Sequence, residues 1–209
     1  MLCSQSTRDD LETTDVLIAG VGGQGILLAS EILARVCLRA GYDVKKSEVH
    51  GMAQRGGSVT SHVRFGKKIY SPLIEKGRAE ILLAFEKLEA LRWIYFLRSG
   101  GTVIVNDHRI DPITVSSGSA TYPDDIIERL RERTADVNLV DGIGIAIRAG
   151  DLRTVNVVLL GFLSEFLPIN ADLWRGVIGE TVPQKTVDMN LGAFEKGREL
   201  VCLTKRSCP

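Results

Sequence analysis

Apolar positions fall into two kinds of pattern along this chain, and their alternation is the first guide to its fold. Residues 15–20 (DVLIAG) form an unbroken apolar run, the signature of a strand buried on both faces. After the glycine-rich turn at residues 21–25, residues 26–40 (ILLASEILARVCLRA) place apolar side chains at helical spacing, with Gly41 positioned to end the helix. Residues 42–49 read as a second strand. The alternating stretch 58–65 (SVTSHVRF) reads as a third, turned by Gly66 and Lys67 into a hairpin with Ile69 and Tyr70. Residues 79–85 (AEILLAF) predict a buried strand, residues 86–97 a helix followed by Gly100 and Gly101, and residues 102–106 (TVIVN) another strand.

Further on, residues 113–115 and 120–122 suggest short strands. Residues 124–133 suggest a charged helix capped by Asp124, and residues 137–140 (VNLV) a last strand. The rest reads as helical. Residues 154–167 are apolar nearly all round and belong inside, residues 171–178 form a short helix, and residues 187–201 an amphipathic one. The predicted fold class is α/β: a single three-layer α/β/α domain over residues 15–209, with helices on both faces of a mostly parallel sheet, mixed at its edge, and a Rossmann-like first βα unit. Residues 1–14 lack apolar periodicity and read as a flexible tail.

Composition narrows the function. The chain has 209 residues, and 26 Lys plus Arg balance 26 Asp plus Glu, which removes the phosphate attraction that nucleic-acid binders depend on. No nucleic-acid partner is expected. No apolar run approaches the roughly 18–20 residues of a membrane helix, and the first 15 residues are polar where a signal peptide carries an apolar block, so the expected location is cytoplasmic, away from membranes. Cys3, Cys37, Cys202 and Cys208 form no CxxC pair, so no zinc or iron–sulfur site is expected in this chain, and Cys37 falls on the apolar side of the first helix as a small hydrophobe.

Two segments carry candidate chemistry. Gly20, Gly22 and Gly25 spell GxGxxG between a strand and a helix, where backbone amides can cradle a phosphate. A dinucleotide site also needs an acid about 20 residues on, and Glu48 stands near that place; Lys45, Lys46 and the Gly22-Gly23-Gln24 sequence fit that reading less well. Three readings stay open: a dinucleotide site, another phosphate or anion site using Gly22, Gly23, Gln24 and Gly25, or glycines that only permit tight packing. The second segment, His50-Gly51-Met52-Ala53-Gln54-Arg55-Gly56-Gly57, gathers an imidazole, an amide and a guanidinium in one loop. Arg55 could clamp a phosphate or carboxylate, or pair with Glu48 and merely shape the loop.

The isolated His62 and His108 read as surface or satisfied core histidines. No serine-hydrolase elbow, Walker phosphate loop or zinc-protease helix is encoded. Asn156 at the head of an apolar stretch, and residues 183–191 before the terminal helix, read as capping and packing.

Together, residues 20–34 (GVGGQGILLASEILA), 47–66 (SEVHGMAQRGGSVTSHVRFG), 156–161 (NVVLLG) and 182–199 (VPQKTVDMNLGAFEKGRE) resemble the gamma subunit or gamma domain of 2-oxoacid:ferredoxin oxidoreductases, the pyruvate/ketoisovalerate gamma family. The nearest branch is the beta subunit of indolepyruvate ferredoxin oxidoreductase, and the resemblance runs from Asp15 to Val201. It implies oxidative decarboxylation of a 2-oxoacid with coenzyme A to acyl-CoA, carbon dioxide and reduced ferredoxin. Thiamine diphosphate, magnesium and [4Fe-4S] clusters would then lie in a larger partner subunit. Asp141-Gly142 lacks the asparagine pattern of a thiamine diphosphate site, and the chain lacks the cysteines for clusters.

The implied role is a non-cluster subunit, inactive alone, that closes over the active site and carries part of the coenzyme A pocket. Gly22, Gly23, Gln24, Gly25 and Arg55 are the phosphate-binding candidates. Glu48, His50, Gly51, Gln54, Gly56 and Gly57 are loop or interface candidates, with His50 lining the active site. Ferredoxin would be reached through the complex, and the isolated subunit could form a homodimer. The alternatives are a freestanding Rossmann-type NAD(P) oxidoreductase with Glu48 on the ribose, and a noncatalytic adaptor.

Overall fold

The computed structural model describes residues 13–50 and 57–206. Its centre is a six-stranded sheet in the order β2-β3-β1-β4-β5-β6. The strands are β1 (Thr13–Val21), β2 (Asp43–His50), β3 (Ser58–Gly66), β4 (Ala79–Ala84), β5 (Leu97–Asn106) and β6 (Val137–Val140). β1, β4, β5 and β6 run parallel, whereas β3 lies antiparallel between β1 and β2, giving the mixed edge that was expected.

The continuous apolar runs are continuous because the central strands are covered twice. Alternate residues Val16, Ile18, Ile81, Leu83 and Ile104 face one core, while Leu17, Ala19, Leu82, Ala84, Val103 and Val105 face the other. The first core is covered by α1 (Ile26–Arg39), α6 (Val155–Ser164), α7 (Ala171–Thr181) and α8 (Val187–Arg206), and the second by α2 (Lys87–Trp93) and α4 (Ile126–Arg133). Edge strand β2 instead carries Lys45, Lys46 and Glu48, charges that discourage pairing with another chain.

Several expected elements change. β1 begins at Thr13, two residues before Asp15, because Thr13 and Thr14 extend the ladder opposite Gly66 and Phe65. The hairpin partner of β3 is β2 rather than Ile69–Tyr70; Ile69 is held off the ladder by its N–H bond to Asp43 Oδ2 at 2.8 Å. The second helix stops at Trp93, tightens into a 3-10 turn over Ile94–Phe96, and gives way to β5 at the fully buried Leu97. Gly100 and Gly101 thus lie within β5, where the ladder with β4 shifts register between Ala79 and Ile81. Residues 113–116 form a short helix, α3 (Ile113–Ser116), instead of a strand, and residues 120–122 join no strand. Asp125 rather than Asp124 precedes α4, with no side-chain cap. A short helix unforeseen as a separate element, α5 (Gly142–Ala149), follows β6 and is capped by Asp141, which accepts the Gly144 N–H at 2.8 Å.

Cys37 is fully buried, and burial pushes its thiol pKa far up, as suits an unreactive core residue. His62 is buried on the opposite face of the sheet, level with Leu17 in the ladder. Its Nδ1 accepts the Ile74 N–H at 3.1 Å and its ring meets Phe96 edge-on. Burial lowers its pKa below the usual value of 6.5; nearby Asp15 opposes the shift and Arg64 adds to it. The unfolded chain therefore takes up a proton near pH 6.5 that the folded chain resists, so this contribution to stability is complete above about pH 6.5 and is lost as pH falls below it. In urea titrations between about pH 7.5 and 5, His62→Asn, which keeps an acceptor but cannot titrate, is expected to flatten the decline. An unchanged pH slope would refute the assignment.

Candidate functional site

The chain leaves β1 toward one face of the sheet and β4 toward the other, so α1 and α2 diverge and open a crevice at the carboxyl ends of the strands. A cleft of about 330 Å³ lies there, within the usual range of ligand pockets. Gly23, Gln24 and Gly25 form one wall, Asn106, His108 and Ile110 a second, and Ile143, Leu152, Arg153 and Val155 the rest.

The glycine turn is built from both sequence and tertiary contacts. Val21 N–H donates to Gln24 Oε1 at 2.7 Å, while Gln24 Nε2 donates to the Phe85 carbonyl at the tip of β4 at 3.1 Å. Both ends of that amide thus brace the turn. Gly22 N–H donates to the Gly57 carbonyl at 2.9 Å, tying the turn to the base of the second glycine-rich segment. Gly25 takes a left-handed φ of +80° as the N-cap of α1 with no side-chain cap. The N–H groups of Gly23 and Gly25 find no acceptor among the described residues. Such a terminus presents donors and partial positive charge toward the crevice.

Asn106, almost fully buried, fixes the opposite wall. Its Nδ2 donates to the Phe85 carbonyl at 3.2 Å and its Oδ1 accepts the Gly142 N–H at 3.0 Å, so one side chain joins β4, β5 and the start of α5. Arg153 projects at the rim, its side chain 85% exposed, with Nε 2.9 Å from Asp151 Oδ2. The Arg153 guanidinium lowers the Asp151 pKa to about 2, so this pair stays charged throughout the physiological range. A smaller cavity of about 180 Å³ lies beyond Arg153, reaching Leu28, Asn156, Pro183, Thr186 and Asn190.

The candidates divide into three groups. Gly23, Gln24 and Gly25 line the cleft, and Gly22 and Gly57 meet beside it. Glu48 does not join them. It pairs with Lys46 at 2.9 Å, and its register partner Ser61 faces Ile18, so two strand spacings, roughly 9–10 Å, separate Glu48 from β1. The acid of a dinucleotide fingerprint would stand on the strand beside β1, and here that neighbour is antiparallel β3. His50 ends β2 opposite Val59. Gly51, Gln54, Arg55 and Gly56 lie outside the described residues. Sequence reasoning missed Asn106, Arg153, Ile143 and Leu152 as parts of a site, because no spacing links them, and read His108 and Asn156 only as bland positions.

The donor set does not suit a redox metal or a thiamine diphosphate–magnesium site. Among the described residues no three His, Cys, Asp or Glu side chains converge, and Cys37 is enclosed by apolar neighbours. No helix among them is long and apolar enough to cross a membrane.

Fold and cleft together define an α/β domain with a crevice at the carboxyl ends of its strands and, among the described residues, no cluster of redox ligands. The chain belongs to the pyruvate ferredoxin/flavodoxin oxidoreductase family, whose model matches residues 15–200. It is 44% identical over 188 residues to the indolepyruvate oxidoreductase subunit IorB of Thermococcus kodakarensis, covering 88% of this chain and 93% of that one. The keto/oxoacid ferredoxin oxidoreductase gamma subunit of Geobacter sulfurreducens has a similar fold, with a TM-score of 0.69 at 21% identity over 91% of this chain and 99% of that one. A third likeness, with a TM-score of 0.73 at 22% identity, is to the 2-oxoglutarate:ferredoxin oxidoreductase of Magnetococcus marinus, determined with 2-oxoglutarate, coenzyme A and succinyl-CoA bound. That match covers 93% of this chain and 32% of the larger one. The expected family and fold class are thereby borne out.

Proposed function

We propose that this chain is the small, non-cluster subunit of a cytoplasmic 2-oxoacid:ferredoxin oxidoreductase of the indolepyruvate type. The observation that carries this reading is the 44% identity to an IorB subunit along nearly the whole of both chains. In the overall reaction the bond between the carboxylate and the oxo carbon breaks and carbon dioxide leaves. Coenzyme A sulfur bonds to the acyl carbon, and two electrons pass singly to ferredoxin. Thiamine diphosphate with magnesium would supply the carbanion chemistry in a larger partner, and iron–sulfur clusters there would carry the electrons. This chain's own work is to close the site and hold part of coenzyme A, with the Gly22–Gly25 turn and Arg55 meeting its phosphates.

The test of the subunit assignment is native purification from an anaerobically grown host. A larger chain carrying thiamine diphosphate and the broad visible absorption of iron–sulfur clusters should accompany this one, and 2-oxoacid-dependent ferredoxin reduction should need both. A colourless protein that binds NAD(P), or a ligand-free assembly, would favour the Rossmann enzyme or the adaptor. Within the complex, Arg55→Ala is expected to raise the coenzyme A KM about tenfold, the effect of losing one charge-assisted contact, with assembly intact. Unchanged coenzyme A kinetics would remove Arg55 from the site.

A further inference from the structure

Asn156 was read from sequence as a capping residue, and its geometry supports a further role. It lies in the first turn of α6 and is 3% exposed. Its Oδ1 accepts the Val157 N–H at 2.9 Å, which leaves Nδ2, a double donor, without an acceptor among the described residues. Asn156 lines the smaller cavity, and the donor is open there rather than sealed in the core.

The amide tip is directed at the start of α1. From the position a Cβ would occupy on Gly25, Asn156 Nδ2 lies at 2.8 Å, Cγ at 3.3 Å and Cβ at 3.5 Å, so the nitrogen leads. Any side chain at residue 25 would collide with it, in addition to the strain of the left-handed φ. The two features are independent: an uncapped 14-residue helix whose N-cap amide is open, and an unpartnered donor on a largely buried side chain, from a helix more than 100 residues away, pressed against that same N-cap. Both offer only hydrogens. Arg153 adds a cation where the two cavities meet. The carboxylate at the rim, Asp151, is taken up by Arg153, so the open groups beside the α1 N-terminus are donors, which a phosphate-type anion has oxygens enough to meet.

We propose that Asn156 Nδ2 is a ligand-holding donor that acts with the α1 N-terminus to bind a phosphate-type anion, the pyrophosphate of coenzyme A if the proposed function holds. The proposal rests on that reading for the name of the ligand and on this geometry for the site.

Two variants separate a direct contact from a field effect. Asn156→Ala removes the donor without adding charge, and Asn156→Asp keeps the shape and the acceptor for Val157 while replacing the donor by an anion. Calorimetric titration of the full chain, and of the assembled complex, would use inorganic pyrophosphate and coenzyme A as probes. Binding is expected to weaken about tenfold in Asn156→Ala and further in Asn156→Asp, with urea midpoints of Asn156→Asp close to wild type. In the wild-type chain, pyrophosphate should shift the Asn156 side-chain NH2 resonances, a readout that needs no variant to fold.

Wild-type affinity in Asn156→Ala, even if Asn156→Asp binds poorly, would overturn the direct contact and leave the subunit assignment standing. Failure of both probes to bind the wild-type chain, alone and in the complex, would overturn the site. A chain that binds pyrophosphate through Asn156 yet never accompanies a larger cluster-bearing partner would retain the site and sink the proposed function.

Discussion

Gly161→Ala is expected to lower stability by about 3 kcal/mol or more, at the upper end of the range for overpacking a filled interior. A Cβ at residue 161 would stand 2.1 Å from the Phe194 carbonyl oxygen, and one at Gly197 would stand 2.1 Å from the Val158 carbonyl oxygen. Helices α6 and α8 therefore meet backbone to backbone, and each glycine makes room for the other helix. Neither helix can easily move away, since every residue from Asn156 to Ser164 is buried. Urea denaturation would measure the loss. Gly192→Ala provides the contrast, because it lies in α8 with nothing within 4 Å of a new Cβ and should gain up to about 1 kcal/mol from helix propensity. Equal midpoints for the two variants would show that the close approach does not exist.

The second large effect is expected at Glu86, which is 1% exposed and serves three donors. Its Oε2 caps α2 by accepting the Glu89 N–H at 3.0 Å, and its Oε1 accepts the Ile110 N–H at 3.2 Å and the Tyr122 hydroxyl at 2.5 Å. Burial, reinforced by that last bond, raises the Tyr122 pKa. Glu86→Ala orphans all three donors at once and should cost about 3 kcal/mol, whereas Tyr122→Phe deletes one bond and should cost about 1 kcal/mol. The double variant should lose less than the sum, because the orphaned hydroxyl is gone. Additive losses in urea melts would rule out the shared contact. Since Ile110 lines the cleft, Glu86→Ala should also weaken ligand binding there, even in the fraction that remains folded.

Much of this protein was legible from local pattern. The buried strands, the first helix, the fully buried α6 and the glycine turn follow from apolar periodicity and glycine placement, which local sterics and burial dictate. The misread elements are those where local preference was weak or distant contacts intervened. Residues 94–96 look helical by composition, yet the chain must extend by Leu97 to reach the ladder beside β4. Ile69 and Tyr70 suit a strand, but β2 and β1 already occupy both edges of β3.

The site divides in the same way. The sequence alone determined the glycine turn at Gly22–Gly25 between a strand and a helix, the absence of clustered cysteines and, through long stretches of resemblance, the family. Only the tertiary structure decided which residues surround that turn. Insertion of antiparallel β3 beside β1 moves Glu48 to the far edge, while the divergence of α1 and α2 brings Asn106 and Arg153 to the crevice. Asn156 stands 131 positions after Gly25, and no periodicity links them. Their contact exists because α6 packs beside α1 on one face of the sheet. Local sequence sets which backbone can donate hydrogens; packing sets what faces it.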